Sequence, residues 1–217
     1  MPSNFPGAID SFTNPLSNSA LNSPSHSGQH SDLNDAVNKV EQYMGLVKVI
    51  PTGATNGTVG ATGTVTIGNA VSSVTVSGAF SSLYDAYRII ITGGTISATT
   101  VLKLTLGGAA TNYFYTFLYA SFATNTALAD NGNNTTSFLY AAQGHQVGGL
   151  SGDISVTNPF LTKYTYVHAP IPAGNGTYAG TLNGTLADVN SYTAFTLAPI
   201  SAATMTGGTI RVYGYRN

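Results

Sequence analysis

The chain has no cysteine, no tryptophan and few charged residues, which make up only 7% of its 217 amino acids. Because cysteine is absent, the protein can form neither a disulfide framework nor a thiolate metal site. The formal net charge is −1 at neutral pH, so the sequence provides no basic field for nucleic acid and no polybasic segment for an anionic membrane surface. We therefore expect neither a nucleic-acid partner nor membrane insertion.

A long apolar run and a secretion signal are also missing. No stretch approaches 18 consecutive apolar residues, the length that a membrane-spanning helix needs. The opening sequence MPSNFPGAID has no basic segment followed by an apolar one, which a signal peptide would require. We expect the protein to be made in the cytoplasm and not to be exported through a signal peptide.

Catalytic motifs are missing as well. No serine occupies a G-x-S-x-G elbow, and neither His145 nor His168 has a carboxylate nearby in the sequence that would orient it. The carboxylates after residue 50 are widely separated: Asp85, Asp130, Asp153 and Asp188. The sequence therefore predicts a protein that is not an enzyme and that needs no cofactor.

Two histidines near the N-terminus are weak candidates for a metal site. His26 and His30 are four residues apart, so their imidazoles would share one side of a helix and could bind one metal ion. Gly28 lies between them, and both precede the expected start of the helix described below. Local hydrogen bonding is the better interpretation, and we expect no metal.

Residues 1–31 are rich in serine, asparagine and proline, and their large apolar residues follow neither a helical nor a strand period. A disordered tail and a peptide that docks on another protein both fit this composition. Disordered tails seldom contain large apolar residues spaced this regularly. We therefore expect an extended arm whose anchor residues are Phe5, Ile9, Phe12, Leu16 and Leu21.

Residues 32–47 are expected to form one short helix. Ser31 or Asp32 can cap its N-terminus, and Gly45 can end it. A helix of about 14 residues is marginal in water, so its apolar seam must pack on the β-domain of the same chain or on copies of itself. We favour self-association through the seam, which consists of Leu33, Ala36, Val40, Tyr43 and Val47.

The rest of the chain predicts a mostly β protein. A glycine-rich linker is expected at residues 48–59, followed at 60–217 by short apolar or alternating segments separated by turn residues. Apolar residues make up 42% of the chain, which is sufficient for a hydrophobic core. We expect a jelly-roll-like antiparallel β-sandwich preceded by the arm and the helix.

Two segments of this region carry further expectations. NYFYTFLYASF (112–122) is apolar at both parities, so we expect it to be buried on both faces, inside the sandwich or against a neighbouring subunit. The polar segment ATNTALADNGNNTTS (123–137) is expected to be an exposed loop at the tip of the domain.

Carbohydrate binding has one preferred patch. In the segment KYTYVHAP, the residues Tyr164, Tyr166 and His168 alternate along a strand and share one of its faces. An exposed tyrosine offers a sugar ring both an apolar face and a hydroxyl. If this face is directed outward, it is the candidate surface for binding a host-surface glycan.

The layout resembles that of small bacteriophage fibre and decoration proteins. The similarity lies in PGAIDSFTNPLSNSALNSPSHSGQHSDLNDAVNKVE (6–41), LYDAYRIIITG (83–93) and the closing GGTIRVYGYRN (207–217). It implies a virion-docking N-terminal arm, a short trimeric helical stem and a C-terminal β-sandwich knob. The resemblance thus implies a homotrimer in the virion whose arm contacts other virion proteins of the tail or the capsid.

Three classes of function remain open from the sequence. The first is a tail fibre whose knob attaches to the host surface, and we prefer it slightly. The second is a head fibre or capsid decoration protein, which needs the same arm, stem and knob. The third is a non-viral carbohydrate-binding or adhesion module, which the missing signal peptide disfavours.

Overall fold

A computed structural model describes residues 26–43, 45–171 and 178–215. The chain divides into two compact units, Met1–Gly45 and Leu46–Asn217. The described part of the first unit is one helix, and that of the second unit is β-structure. The expected anchor residues lie outside the described residues: Phe5, Ile9, Phe12, Leu16 and Leu21.

The helix, α1, spans His26–Tyr43 and therefore begins six residues earlier than expected. Gly28 does not prevent this extension, because one glycine costs only about 1 kcal/mol in a helix relative to alanine. Ser31 and Asp32 consequently lie inside the helix, and neither caps it. Val47, assigned above to the seam, lies in a β-strand beyond Gly45, where glycine favours the end of a helix.

The second unit contains short strands that are almost all antiparallel neighbours of one another. Their bounds are β1 Leu46–Lys48, β2 Gly53–Thr55, β3 Gly57–Val59, β4 Val65–Ile67, β5 Val74–Ser77, β6 Ala86–Gly93, β7 Thr95–Ile96, β8 Thr100–Leu106, β9 Tyr113–Ser121, β10 Ala127–Thr135, β11 Phe138–His145, β12 Gly149–Thr157, β13 Thr165–Ile171, β14 Tyr178–Leu186, β15 Phe195–Pro199, β16 Met205–Thr206 and β17 Thr209–Tyr215. The predicted mostly β fold with one short helix is confirmed.

The strands form two layers that are joined through β12. We call sheet I the layer with the order β10-β9-β14-β13-β12-β6-β17, which β1 and β4 extend beyond β17. Sheet II has the order β11-β8-β15-β5-β2. One edge of β12 pairs with β6 along its whole length, whereas its other edge pairs first with β11 and then with β13. The branch at β12 lets the two layers pack as a sandwich.

The core lies between these layers, as the alternating burial of most strands requires. Along β6 and β17 every second side chain is buried, for example Ile89 and Ile91 on β6 and Val212 on β17. Aromatic side chains join the layers: the Tyr113 and Phe138 rings meet edge to face with centroids 4.9 Å apart. Such pairs add about 0.5–1.5 kcal/mol beyond the burial of their area.

The expected linker at 48–59 is wrong, because β2 and β3 lie within it and the second unit begins at Leu46. Of the two glycines in this segment, Gly57 serves close strand packing, whereas Gly53 has open space beside it. A Cβ atom on Gly57 would lie 2.8 Å from the carbonyl oxygen of Thr66 on the neighbouring strand β4. Glycine is therefore needed where β3 approaches β4, and it does not indicate a flexible linker here.

The expected loop at 123–137 is also largely a strand. β10 pairs with β9 over most of its length and forms the edge of sheet I. Its polar composition concealed the strand, because most of its side chains are exposed and β10 has no second neighbouring strand among the described residues. Polar, asparagine-rich sequences are depleted in strands, so the tertiary pairing overrides the local preference.

β9 is buried on one face only within the described part of the chain. Tyr113, Tyr115 and Phe117 point into the core, whereas Phe114 and Leu118 are exposed on the opposite face. Burial of both faces inside the sandwich, as expected above, is therefore wrong. Burial of the second face against a neighbouring subunit remains a prediction.

Candidate functional site

The three residues of the preferred patch lie on the outer face of sheet I. Tyr166 and His168 point outward from β13, where they alternate with the buried residues Thr165 and Val167. Tyr164 precedes the strand and is 48% exposed, and Tyr166 is 49% exposed. The face is directed outward, which is the condition that the sequence left open for a binding surface.

The strand register gives Tyr166 and His168 polar neighbours. Tyr166 lies opposite Thr157 on β12 and Thr185 on β14. His168 lies opposite Ser155 and Asn183 on the same two strands. Hydroxyl and amide groups therefore flank the aromatic side chains, an arrangement that combines ring stacking with hydrogen bonding.

An ion pair lies beside this patch on the same face. Arg88 on β6 donates from Nε to Asp153 Oδ1 at 2.8 Å and from Nη2 to Oδ2 at 2.5 Å. This bidentate geometry is the strong form of an arginine–carboxylate pair. The hydrogen bonds from Arg88 lower the pKa of Asp153 below its usual 3.8, and His168 lowers it further. Asp153 is therefore a carboxylate, and a hydrogen-bond acceptor, at neutral pH.

Arg211 is a second guanidinium on this face, and it has no carboxylate partner within the described residues. It lies on β17 opposite Ile90 of β6. Its Nη2 donates to Thr92 Oγ1 at 3.4 Å, while its buried Nε has no hydrogen-bond partner among the described atoms. A guanidinium carries five N–H donors. The Nε donor is buried, so the donors that remain for a ligand at the surface are those on the two Nη atoms.

The outer face of sheet I is net positive in a chain with few charges. Lys48 joins Arg88 and Arg211 there, because the register places it opposite Tyr213, which lies opposite Arg88. Asp153 is the one carboxylate on this face among the described residues. The face thus carries three cationic side chains and one anionic side chain, and Lys48 donates to Thr64 Oγ1 at 2.6 Å.

A depression opens on this face at the branch of β12, and we call it the branch depression. Its lining comprises residues of β6, β12, β13 and β14 and includes Thr92, Ser151, Asp153, Pro170 and Thr181. Three hydroxyls, one carboxylate and one apolar ring therefore converge there. Arg211 reaches its rim, since the Arg211 guanidinium contacts the Thr92 hydroxyl.

The helix presents a second candidate surface. Leu33, Val37 and Val40 are 53%, 47% and 48% exposed, and Ala36 is partly buried. Positions 33, 37 and 40 lie on one side of a helix. The heptad pattern missed Val37, although its spacing of four from Leu33 is the signal that would have found it. The side chain of Tyr43, the remaining seam residue, lies outside the described part.

No candidate metal site forms in the ranges that the structure describes. No three residues of the types His, Cys, Asp and Glu come together there. His30 lies in α1, and the side chain of His26 lies outside the described part. His145 has a local structural role, because its Nδ1 accepts a hydrogen bond from the Gly148 N–H at 2.8 Å.

The comparisons with known proteins add no relative. The sequence matches no protein-family model and no curated protein sequence. No helix in the described ranges is both long and apolar enough to cross a membrane. The outer face of sheet I and the apolar side of α1 are therefore the features that bear on the function of the protein.

The basic residues of the candidate face were not predicted as site residues from the sequence. Arg88 and Arg211 occupy alternate positions in apolar strands, and this parity was sufficient to place both side chains outward. Asp153 was considered only as an isolated carboxylate. Its partner is 65 residues away, and only the register between β6 and β12 brings the two together.

Proposed function

We propose that the protein is a trimeric fibre of a bacteriophage virion, anchored by its N-terminal arm, with the β-sandwich projecting towards the host surface. The observation that carries this proposal is the row of half-exposed apolar residues on α1. A short helix with Leu33, Val37 and Val40 exposed is poorly stable in water. Packing against the same helix of other copies buries the row and makes it a stem.

The sandwich supplies a second surface for self-association, which we call the β9 strip. Phe114 and Leu118 point outward from β9, and Phe122 follows the strand at the same parity. Leu118 and Phe122 are each 57% exposed. A large apolar side chain gains about 1.5–3 kcal/mol when it is fully buried. The strip lies at the β9 edge of the outer face of sheet I, where Leu118 is opposite Thr181. Contacts between β9 strips therefore add to the small area that the helices offer and cover this edge, while β12, β6 and β17 of the same face stay free.

Three copies are preferred over two because of the resemblance to trimeric phage fibres. The helix row mixes Leu33, Ala36, Val37 and Val40, a combination that does not by itself specify two strands. A trimer also displays three copies of the outer face of sheet I on one fibre. Several weak contacts to a host surface then act together, which raises the overall affinity without new contacts.

Attachment to the tail is preferred over attachment to the head because the sandwich carries an outward patch suited to surface binding. A capsid decoration protein requires the anchor and the stem but no such patch. The arm, residues 1–25 of which lie outside the described ranges, is proposed to dock on other virion proteins.

Immunogold electron microscopy of the particle tests the proposal. Antibodies against the sandwich should label the virion, and a tail fibre predicts gold particles at the tail. Labelling confined to the head would support the decoration protein instead. Particles without label, from cells that express the protein, would contradict a virion component of either kind.

A further inference from the structure

The outer face of sheet I has the properties of a site for an acidic sugar, and this inference rests on the proposed fibre function. We propose that it binds a carboxylated polysaccharide of the host surface, such as one that contains uronate or sialate residues. Arg211 holds a sugar carboxylate, the branch depression accepts the sugar hydroxyls, and Tyr166 supports a sugar ring.

The net positive charge of the outer face of sheet I favours an anionic ligand. Lys48, Arg88 and Arg211 share the face with Asp153 alone among the described carboxylates. Arg88 is already engaged by Asp153 through two hydrogen bonds. Arg211 makes one long hydrogen bond, to Thr92. Arg211 is therefore the guanidinium on this face that has donors left for an anionic ligand.

The shape of the donor group narrows the ligand to a planar anion. A guanidinium presents its N–H groups as a rigid fork that matches the two oxygens of a carboxylate. Because Nη2 of Arg211 contacts Thr92, which lines the branch depression, a carboxylate bound by Arg211 would bring the attached ring next to the depression. A carboxylated sugar can therefore contact the Arg211 guanidinium and the branch depression at the same time.

The branch depression offers groups that can recognise sugar hydroxyls. Thr92, Ser151 and Thr181 line the depression, and each hydroxyl can both donate and accept a hydrogen bond. Asp153, ionised and held in place by Arg88, accepts from sugar hydroxyls. Its negative charge also disfavours dense polyanions such as nucleic acid, because a second phosphate would lie close to it. An anion with one charge per sugar unit avoids this repulsion.

Strand β13 offers apolar surfaces on which a sugar ring can stack. Tyr166 is half exposed on the neighbouring strand β13, and Pro170 of the same strand lines the depression. On alternate positions of one strand, residues 166, 168 and 170 point outward. The apolar face of a sugar ring can therefore lie on Pro170 or Tyr166 while its hydroxyls reach the strands beside them.

Binding of the full-length protein to defined oligosaccharides tests this site. The probes are oligogalacturonate, oligosialic acid and the same oligogalacturonate with its carboxylates reduced to alcohols, and calorimetry or biolayer interferometry measures the affinity. We expect binding of at least one carboxylated probe and a loss on the order of tenfold or more on carboxyl reduction. Dextran sulfate is the control for charge alone.

Matched variants locate the site. Arg211→Gln should weaken binding of the carboxylated probe on the order of tenfold. Lys103→Gln removes one positive charge from β8 in sheet II, away from the proposed face, and should change the affinity by less than about twofold. Tyr166→Ala removes an exposed side chain and should also weaken binding, which keeps the test decisive if Arg211→Gln does not fold.

Several results would overturn the inference. Equal affinity for the reduced and the carboxylated oligosaccharide would show that no carboxylate is recognised. Binding of dextran sulfate in place of both carboxylated probes, or equal losses in Arg211→Gln and Lys103→Gln, would show a general charge effect.

The glycan site and the fibre proposal can fail separately. If the protein is trimeric and present on particles but binds neither carboxylated probe, the glycan site fails while the fibre proposal stands. If it binds the probe but is monomeric and absent from particles, the fibre proposal fails instead.

Discussion

Arg88 on β6 and Asp153 on β12 form a bidentate ion pair across two neighbouring strands of sheet I, with donor–acceptor distances of 2.8 and 2.5 Å. The two side chains are 41% and 38% exposed, so solvent screens much of their attraction and the pair contributes only modestly to stability. Its main consequence is positional. The pair fixes an ionised carboxylate at the wall of the branch depression and occupies one of the two guanidinium groups nearby.

Asp153→Asn should lower the stability slightly at neutral pH and not at all in acid. Arg88 lowers the pKa of Asp153 in the folded protein, so the stabilisation is present above the unfolded pKa of about 3.8 and is lost as pH falls through the lower folded value. We expect a loss of about 1 kcal/mol or less at pH 7. Thermal unfolding of both proteins between pH 2 and 7 measures it, and a difference that grows towards pH 2 would contradict the assignment.

Gly180→Ala should destabilise the sandwich much more than Gly108→Ala. A Cβ atom on Gly180 would meet the backbone oxygen of Leu118 and lie 2.6 Å from the Tyr119 Cβ, whereas at Gly108 nothing lies within 4 Å. Overpacking of this kind costs about 1–3 kcal/mol. Urea unfolding compares the two variants, and equal stabilities would show that β14 and β9 do not approach as closely as described.

Charges placed on the helix row should weaken the stem. Leu33→Asp with Val40→Asp puts two carboxylates where copies of α1 are proposed to pack, so their burial becomes unfavourable. Asn34→Asp with Asn38→Asp adds the same charge at exposed polar positions of the helix and is the matched control. Sedimentation velocity should show dissociation at higher concentration for the first variant only. Equal behaviour of both variants would remove the helix row from the interface.

A charge on the β9 strip should weaken association of the sandwiches. Leu118 is 57% exposed on the outer face of β9, and Leu118→Asp would bury a carboxylate if this face lies between copies. Thr58→Asp adds the same charge at an exposed position of β3, outside the strip, and should leave association unchanged. We expect Leu118→Asp, combined with the helix variant, to give monomers at micromolar concentration in sedimentation velocity. Unchanged association would show that the sandwiches meet elsewhere or not at all.

The sequence predicted the strands in which apolar and polar residues alternate, because burial on one face imposes a period of two. β6, β13 and β17 follow this rule, and so do their outward residues Arg88, His168 and Arg211. Strand β10 was missed because its asparagine-rich sequence favours turns, and its pairing with β9 is decided by tertiary contacts. The early start of α1 was missed because Gly28 suggested a boundary that the helix does not observe.

The candidate face itself was only partly predictable. Alternation placed the side chains of Tyr166 and His168 on one face of the strand, and the structure directs that face outward. The neighbouring ion pair depends on the register between β6 and β12, and Arg211 joins them only through the pairing of β17 with β6. Strand order and register across more than 60 residues leave no local pattern in the sequence, so this grouping required the structure.

Light scattering on the full-length protein tests the central claim most directly, because a trimeric stem is the feature on which the fibre proposal depends. The proposal predicts a mass about three times that of the 22.3 kDa protomer at micromolar concentration. A single species at the protomer mass would contradict the proposal, because copies of α1 would then not pack on one another and there would be no stem.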